Sequence, residues 1–447
     1  MVELLEVARA VAAKARAGEQ IEAYAARGKD TSVRVFEGEI ESLSSAESAG
    51  LGVRVVSQGR VGFAWVAALD EGAAAEALAE ARDNAKFATV DEHGGLAVPD
   101  GLEPAELDLW RDELAQTPTD AKVDLAVDLE RRTRARDARI RQVVHADYSD
   151  GMGETAIATS TGIEATSRRT SCFVSVYAIA GDGDENQTGY GYTAGRRVED
   201  LDVEAAASDA VDRATRLLGA KKPASARLTV VLDRRISSML LNILAGTLSG
   251  EEVSKGRSLF ANRLGEEVAV ASFALVDDPS NPLAWGASRV DAEGLACRRN
   301  TLIEGGKLLG YLYDTHAARV AGTSSTGSAV RGGYRTTPGV GARAVSLEPG
   351  ELTQQEIIGQ IDTGLFVQSV SGVHSGVNSV SGDFSVGAEG LMIRNGQLAE
   401  PVREITVAST IQRMLHHVAF IGDDLEWLPG SAAGLTLAID DMSMSGA

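Results

Sequence analysis

Residues 373–385 read VHSGVNSVSGDFS, the most polar and glycine-punctuated run in the chain. Valine and phenylalanine alternate there with serine and asparagine, as in strands that are half buried. Ser381-Gly382-Asp383 combines three residue types that favour turns. The run therefore predicts two strands joined by a turn.

The sequence on both sides of this run predicts an α+β protein. Residues 3–17, 70–88, 120–135 and 203–218 have the apolar spacing or Ala/Glu content of helices, and residues 236–248 predict an apolar helix. Predicted strands are shorter and more numerous; they include 21–24, 32–36, the hairpin 51–66, a meander of four short strands over 141–180 with turns at 149–151 and 160–162, and 227–232.

Two stretches divide the predicted elements. Residues 94–119 are rich in Pro, Gly and acidic residues and predict a connector, and Lys221-Lys222-Pro223 predicts a domain boundary. We therefore expect an N-terminal mixed α/β domain over 1–220 and a C-terminal domain rich in antiparallel β-sheet over 221–447.

Charge and composition exclude several classes of protein. The 447 residues include 64 acidic and 43 basic side chains, for a net charge of −21, which disfavours contact with nucleic-acid phosphates. No apolar run is long enough to cross a membrane. The two cysteines, Cys172 and Cys297, form no disulfide framework, and the N-terminus does not resemble a signal peptide. A cytoplasmic protein is expected.

Residue patterns alone show no complete catalytic site. No histidine pair has the helical spacing of a zinc hydrolase with a glutamate base, and no glycine-rich segment has the context of a phosphate-binding loop. A Ser/His/Asp site could be built from His374, Asp383 and Ser375 or Ser385. However, no Gly-x-Ser-x-Gly turn accompanies them.

The same run carries a resemblance to a known family. Residues 375–390 are similar to the signature of the TldD/TldE (PmbA) family. Further segments match it in order along nearly the whole chain: 52–55, 61–64, 286–294, 300–306, 310–312, 393–397, 401–406 and 421–425.

The resemblance also shows where this chain departs from the catalytic members. TldD-type chains hold zinc through a His-Glu-x-x-x-His helix and a cysteine near the C-terminus. Here Asn242, Ile243 and Thr247 occupy the three helix positions, and residues 428–434 contain no cysteine. The chain therefore resembles the TldE branch, with no catalytic residue, metal ligand or cofactor of its own and with zinc expected in a TldD-like partner.

This implies a non-catalytic subunit of a heterodimeric zinc metallopeptidase. Such pairs enclose a chamber that admits unfolded peptides or peptide-like amides, either for general proteolysis or for natural-product maturation. Candidates for chamber-lining or interface residues are His374, Ser375, Asn378, Ser381 and Asp383. Two alternatives remain open, namely an independent hydrolase with a Ser/His/Asp site near His374 and a regulatory binding protein.

Overall fold

The structure is a computed structural model that describes residues 2–446. Its N-terminal half, up to residue 216, runs through these elements: α1 (Val2–Ala12), β1 (Glu19–Phe36), β2 (Glu39–Ser57), β3 (Arg60–Val66), α2 (Glu71–Phe87), α3 (Asp112–Gln116), α4 (Thr119–Arg136), β4 (Ile140–Thr159), β5 (Glu164–Asp182), β6 (Glu185–Gly195), a 3-10 turn (Val198–Asp200) and α5 (Val203–Arg216).

These six strands form one antiparallel sheet in the order β3-β2-β1-β4-β5-β6. Alternate residues of β1 are buried at both ends of the strand because one face of the sheet is covered by helices. Ile21 and Ala23 pack against α1 and α2, whereas Val33 and Val35 pack against α4 and α5. The opposite face is left for contacts with the C-terminal half.

The C-terminal half runs through these elements: β7 (Ala226–Leu232), α6 (Arg234–Thr247), α7 (Gly250–Ser254), β8 (Leu275–Asp277), β9 (Asn300–Glu304), β10 (Lys307–Leu308), α8 (Thr315–Ala321), β11 (Ala329–Val330), β12 (Gly339–Val340), β13 (Val345–Leu347), α9 (Gln354–Gly359), β14 (Thr363–Ser371), α10 (Val373–Gly376), β15 (Asp383–Arg394), β16 (Gln397–Thr410), α11 (Ile411–His416), β17 (Val418–Ile421), β18 (Glu426–Trp427), β19 (Ala433–Gly434) and β20 (Leu437–Ser445).

The main C-terminal sheet has the order β16-β15-β14-β7-β20-β17. All its pairs are antiparallel except β7 with β14. β16 also pairs with β20, from Thr406↔Ser445 to Ala408↔Ser443, so the sheet closes on itself. Apolar residues from its strands and from α6 form the largest hydrophobic core of the described residues.

A buried cluster of four charged side chains joins the two halves. Glu22 of β1 accepts hydrogen bonds from Arg54 at 2.6 Å and from Arg331 at 2.7 Å, and Glu293 lies 3.5 Å from Arg54. Beside the cluster, a Cβ atom on Gly52 would lie 2.3 Å from the Tyr334 carbonyl oxygen. Only glycine therefore lets the two halves approach this closely at that position.

The α+β fold class predicted from the sequence is confirmed, with extensive antiparallel sheet in both halves. The division into domains 1–220 and 221–447 stays a prediction, although the two large sheets lie on either side of residue 220. None of the helices in residues 2–446 combines the length and apolarity needed to cross a bilayer.

Three local predictions were wrong. Residues 373–376 form the short helix α10 rather than a strand, and a strand begins only at Asp383. Helix α1 ends at Ala12 and not near residue 17. The predicted turn at residues 149–151 lies inside β4, because these residues pair with β1 on one side and with β5 on the other. The Asp150 carboxylate also pairs with buried Lys122 at 2.5 Å.

Candidate functional site

Helix α6 carries the three positions where the resemblance implies a metal motif. Asp233 caps its start by accepting a hydrogen bond from the Arg235 backbone N–H at 2.7 Å. Ile236, Leu240 and Leu244 recur every four residues and are buried in the C-terminal core. The core therefore fixes the helix rotation, which leaves Asn242 exposed and Ile243 partly buried.

The segment where a catalytic relative would carry its cysteine lies directly against α6. The Ser238 hydroxyl donates to the Ala432 carbonyl at 2.9 Å, and the Ser237 hydroxyl donates to the Leu435 carbonyl at 2.6 Å. A Cβ on Gly434 would lie 1.9 Å from the Arg234 carbonyl oxygen, so glycine permits this contact. The scaffold around the motif positions is thus closely packed.

The C-terminal segment contacts Asn242, one of the motif positions on α6, whereas Thr247 lies apart from it. The Ser431 hydroxyl donates to the Asn242 side-chain oxygen at 2.7 Å, which joins the C-terminal segment to the helix. Thr247 is only 1% exposed, and its hydroxyl donates to the Leu244 carbonyl at 2.6 Å. Asn242 and Thr247 therefore lie on different sides of α6.

The residues present do not fit the zinc ion that the family resemblance implies. Structural and catalytic zinc is held by Cys, His and carboxylate side chains. Asn242 instead shares its amide with Ser431 and with the Ser238 carbonyl, and Ile243 has no donor atom. Within residues 2–446, no three His, Cys, Asp or Glu side chains are grouped so that they could hold a metal.

Beside Asn242 the structure has an open pocket of about 500 Å³. Both halves of the chain contribute to its lining, which consists of Tyr192, Arg235, Ser238, Met239, Asn242, Ile243, Leu428 and Pro429. The wall is thus mixed in character, with one guanidinium, one amide, one phenol and several apolar groups.

The tyrosine wall of this pocket follows from the sequence of β6. Gly189, Tyr190, Gly191 and Tyr192 alternate, so the glycines share one face of the strand and the tyrosines share the other. A Cβ on Gly189 or Gly191 would lie 2.0 Å from a carbonyl oxygen of α5. The helix therefore lies directly on the glycines, and the tyrosines point away from it.

Arg235 connects this aromatic wall to α6. Its guanidinium lies 4.3 Å from the ring centroid of Tyr192 and donates to the Tyr190 carbonyl at 2.7 Å. It also forms an ion pair with Asp209 of α5. Burial raises the pKa of Tyr192, so its phenol stays neutral and can donate a hydrogen bond.

The five candidates for chamber-lining or interface residues in the 373–383 region are all exposed, and Asn378, Ser381 and Asp383 form a local turn. The Asn378 side-chain oxygen accepts from the Val380 and Ser381 N–H groups, and the Ser381 hydroxyl donates to Asp383 at 2.6 Å. The Ser375 hydroxyl donates to the Gly372 carbonyl. Among the described residues, no hydrogen bond joins the His374 ring to a serine or a carboxylate.

Sequence reasoning missed two features of this surface. The Gly-Tyr alternation of β6 was a usable signal, since it separates a packed face from an aromatic one. The buried cluster of Glu22, Arg54, Glu293 and Arg331 had no usable signal, because the chain separates Glu22 from Arg331 by 309 residues. Burial outweighs the attraction of Arg54 and raises the pKa of Glu293, whereas Arg331 and Arg54 together outweigh burial and lower that of Glu22.

Models of three successive domains of the PmbA/TldA metallopeptidases match the chain. Domain 1 matches residues 21–85, the central domain matches 112–218 and the C-terminal domain matches 225–446. Together they cover both large sheets and the α6 region.

Individual relatives match along nearly the whole chain. Metalloprotease PmbA of Escherichia coli O157:H7 is 26% identical over 449 residues, which cover 99% of this chain and 96% of that protein. A Metalloprotease TldD homolog from Haemophilus influenzae is 26% identical over 416 residues, covering 90% and 85%. The crystal structure of TldE from Thermococcus kodakarensis has the same fold, with a TM-score of 0.90, 23% identity and coverage of 99% of this chain and 100% of that one. The chain therefore belongs to the PmbA/TldD family of metallopeptidases.

Proposed function

We propose that this chain is the metal-free, non-catalytic subunit of a heterodimeric TldD/TldE-type peptidase, in which a TldD-like partner holds the zinc. The observation that carries the proposal is which residue types occupy the motif positions on α6. Asn242, Ile243 and Thr247 supply no zinc ligand of the usual kind and no general base. The Asn242 amide is instead engaged by Ser431.

The surface around these positions supports a role in substrate binding. The pocket beside Asn242 is bordered by Tyr192, which stacks on Phe173 with ring centroids 5.3 Å apart. Aromatic faces bind apolar side chains, and the second N–H of the Asn242 side-chain amide, which no described residue accepts, can donate to a peptide carbonyl. Such a surface would hold an unfolded peptide or a peptide-like amide in the chamber while the partner performs the hydrolysis.

The comparisons are consistent with separate catalytic and non-catalytic subunits, and the cysteines are consistent with a cytoplasmic location. The family includes relatives named as TldD homologs as well as TldE and PmbA. Cys172 and Cys297 are both free and buried, and burial raises the pKa of each thiol to about 12. Two unreactive free thiols are compatible with the cytoplasmic location that we propose.

The test is hydrolysis of an unstructured peptide by zinc-treated chain, alone and mixed with its TldD-like partner. We expect activity only in the mixture, and none when the partner's zinc ligands are replaced. Activity of the chain alone that survives this replacement would overturn the proposal. If that activity were then lost in His374→Ala, the Ser/His/Asp alternative would be supported instead.

A further inference from the structure

Strand β2 has one half that is paired on both sides and one half that is not. Leu51–Ser57 lies between β1 and β3. Glu39–Ser48 pairs with β1, but no other part of residues 2–446 forms a backbone hydrogen bond with it. All ten residues of this segment, called here the β2 edge, are exposed. At the usual rise of a strand they span about 33 Å.

The β2 edge lacks most of the devices that keep free edges from pairing. Exposed edge strands are usually protected by lysine, proline, strong bulges or a covering loop. The β2 edge contains no lysine, arginine or proline, and its only charged side chains are three glutamates. Its register with β1 shifts once, at Arg34 and Val35, and is then continuous from Ser42 to Ser57. A long regular edge of this kind is a template for another strand.

Two apolar side chains of the β2 edge extend the buried core outward. Ile40 is 51% exposed and Leu43 is 45% exposed, although their neighbours on β1, Val35 and Val33, are fully buried. A strand placed beside the β2 edge would cover both side chains and continue the apolar layer.

The negative charge of the β2 edge indicates which kind of strand could pair with it. Glu39, Glu41 and Glu47 are the only charged residues of the β2 edge. Glu47 lies 3.3 Å from Lys29, whereas Glu39 and Glu41 form no ion pair with any described residue. In a two-fold pairing with a second copy of this chain, both edges would bring the same three glutamates and no basic residue, because the two copies use the same patch. A strand with lysine or arginine is favoured.

We propose that the β2 edge is the docking site for an extended strand of the partner subunit, one that carries Lys or Arg opposite Glu39 and Glu41 and apolar side chains beside Ile40 and Leu43. The strand would add to the N-terminal sheet as its seventh member. This inference rests on the proposed function, because it takes the TldD-like chain as the partner.

Hydrogen exchange of the backbone amides tests the proposal on the full chain, alone and mixed with its TldD-like partner. We expect exchange within residues 39–48 to slow at least about tenfold in the mixture, because the outward N–H groups gain acceptors. Helix α2, residues 71–87, lies outside both the β2 edge and the pocket beside Asn242 and should not change.

Variants supply the second readout. Ile40→Lys/Leu43→Lys should raise the dissociation constant of the complex at least about tenfold, since apolar burial and charge matching are both lost. Leu102→Lys is the matched control, with a leucine that is 50% exposed elsewhere, and should leave it unchanged.

A complex that forms while residues 39–48 exchange as in the free chain would overturn the inference and leave the proposed function intact. Protection that rises with the concentration of this chain alone would assign the edge to a second copy. Protection that needs added peptide would assign it to substrate. Absence of any complex would overturn the proposed function together with this inference.

Discussion

Replacing Glu22 with alanine should destabilise the contact between the two halves strongly. The Glu22 carboxylate is 2% exposed and accepts hydrogen bonds from Arg54 and Arg331. The variant would leave the buried guanidiniums of Arg54 and Arg331 with Glu293 as the one remaining carboxylate of the cluster. Burial disfavours the charged form of Glu293, so it would compensate them poorly.

The magnitude follows from the loss of one partner from a buried ion cluster. Such a loss costs about 3–5 kcal/mol, because the remaining charge stays buried without compensation. The pKa of Glu22 is lowered in the folded chain, since Arg331 and Arg54 together outweigh burial. Its contribution is therefore complete above the unfolded value of 4.5 and is lost only as the pH falls through the lower folded value.

Urea unfolding followed by tryptophan fluorescence measures this effect at neutral pH. Trp65 is a suitable reporter because its ring lies 6.0 Å from that of Tyr334, across the contact between the halves. Glu164→Ala, which removes an exposed ion pair with Arg9, is the control and should change the transition far less. A loss below about 1 kcal/mol for Glu22→Ala, as for a surface pair, would refute the reasoning.

Three further predictions concern single residues. The pKa of Asp291 is raised to about 7, chiefly by burial and then by Glu293; the folded chain therefore holds a proton that the unfolded chain releases above 3.8. The free energy of unfolding of wild type relative to Asp291→Asn should thus fall between pH 4 and 7, and urea titrations showing a pH-independent difference would contradict this. Gly434→Ala should lower the melting temperature by several degrees, because the Cβ would clash with a carbonyl oxygen 1.9 Å away; Gly246→Ala, with no atom within 4 Å, should not lower it. In the reconstituted complex, Asn242→Ala should leave kcat within about threefold of wild type, since a catalytic role would cost a hundredfold or more.

Local periodicity was sufficient to predict the long helices of the N-terminal half. The Ala/Glu pattern over 70–88 and the pattern over 120–135 correspond to α2 and α4 within one or two residues. In both cases the helix buries one stripe on a sheet, so the sequence period and the packing agree.

Predictions failed where distant partners determine the local structure. Four short strands were expected over 141–180, and the structure has two strands of 20 and 19 residues. The turn residues Ser149, Asp150 and Gly151 stay extended because they pair with β1 and β5, which lie far away in the sequence. Gly151 does not have a positive φ, and an added Cβ would approach only the movable carboxylate of exposed Asp30, so neither a turn nor close packing requires a glycine there.

The candidate site was predictable in one part only. Asn242, Ile243 and Thr247 were identified through the resemblance, but their different burial follows from the rotation of α6 in the core. The contact between Ser431 and Asn242 joins residues 189 positions apart, and no local pattern specifies it.

We propose that this chain has no zinc site and that its TldD-like partner holds the metal. The most direct test is zinc analysis of each purified chain and of their complex, after exchange against a weak chelator. We expect one zinc ion per heterodimer, retained by the partner alone and absent from this chain. A stoichiometric zinc ion retained by this chain by itself would contradict the account.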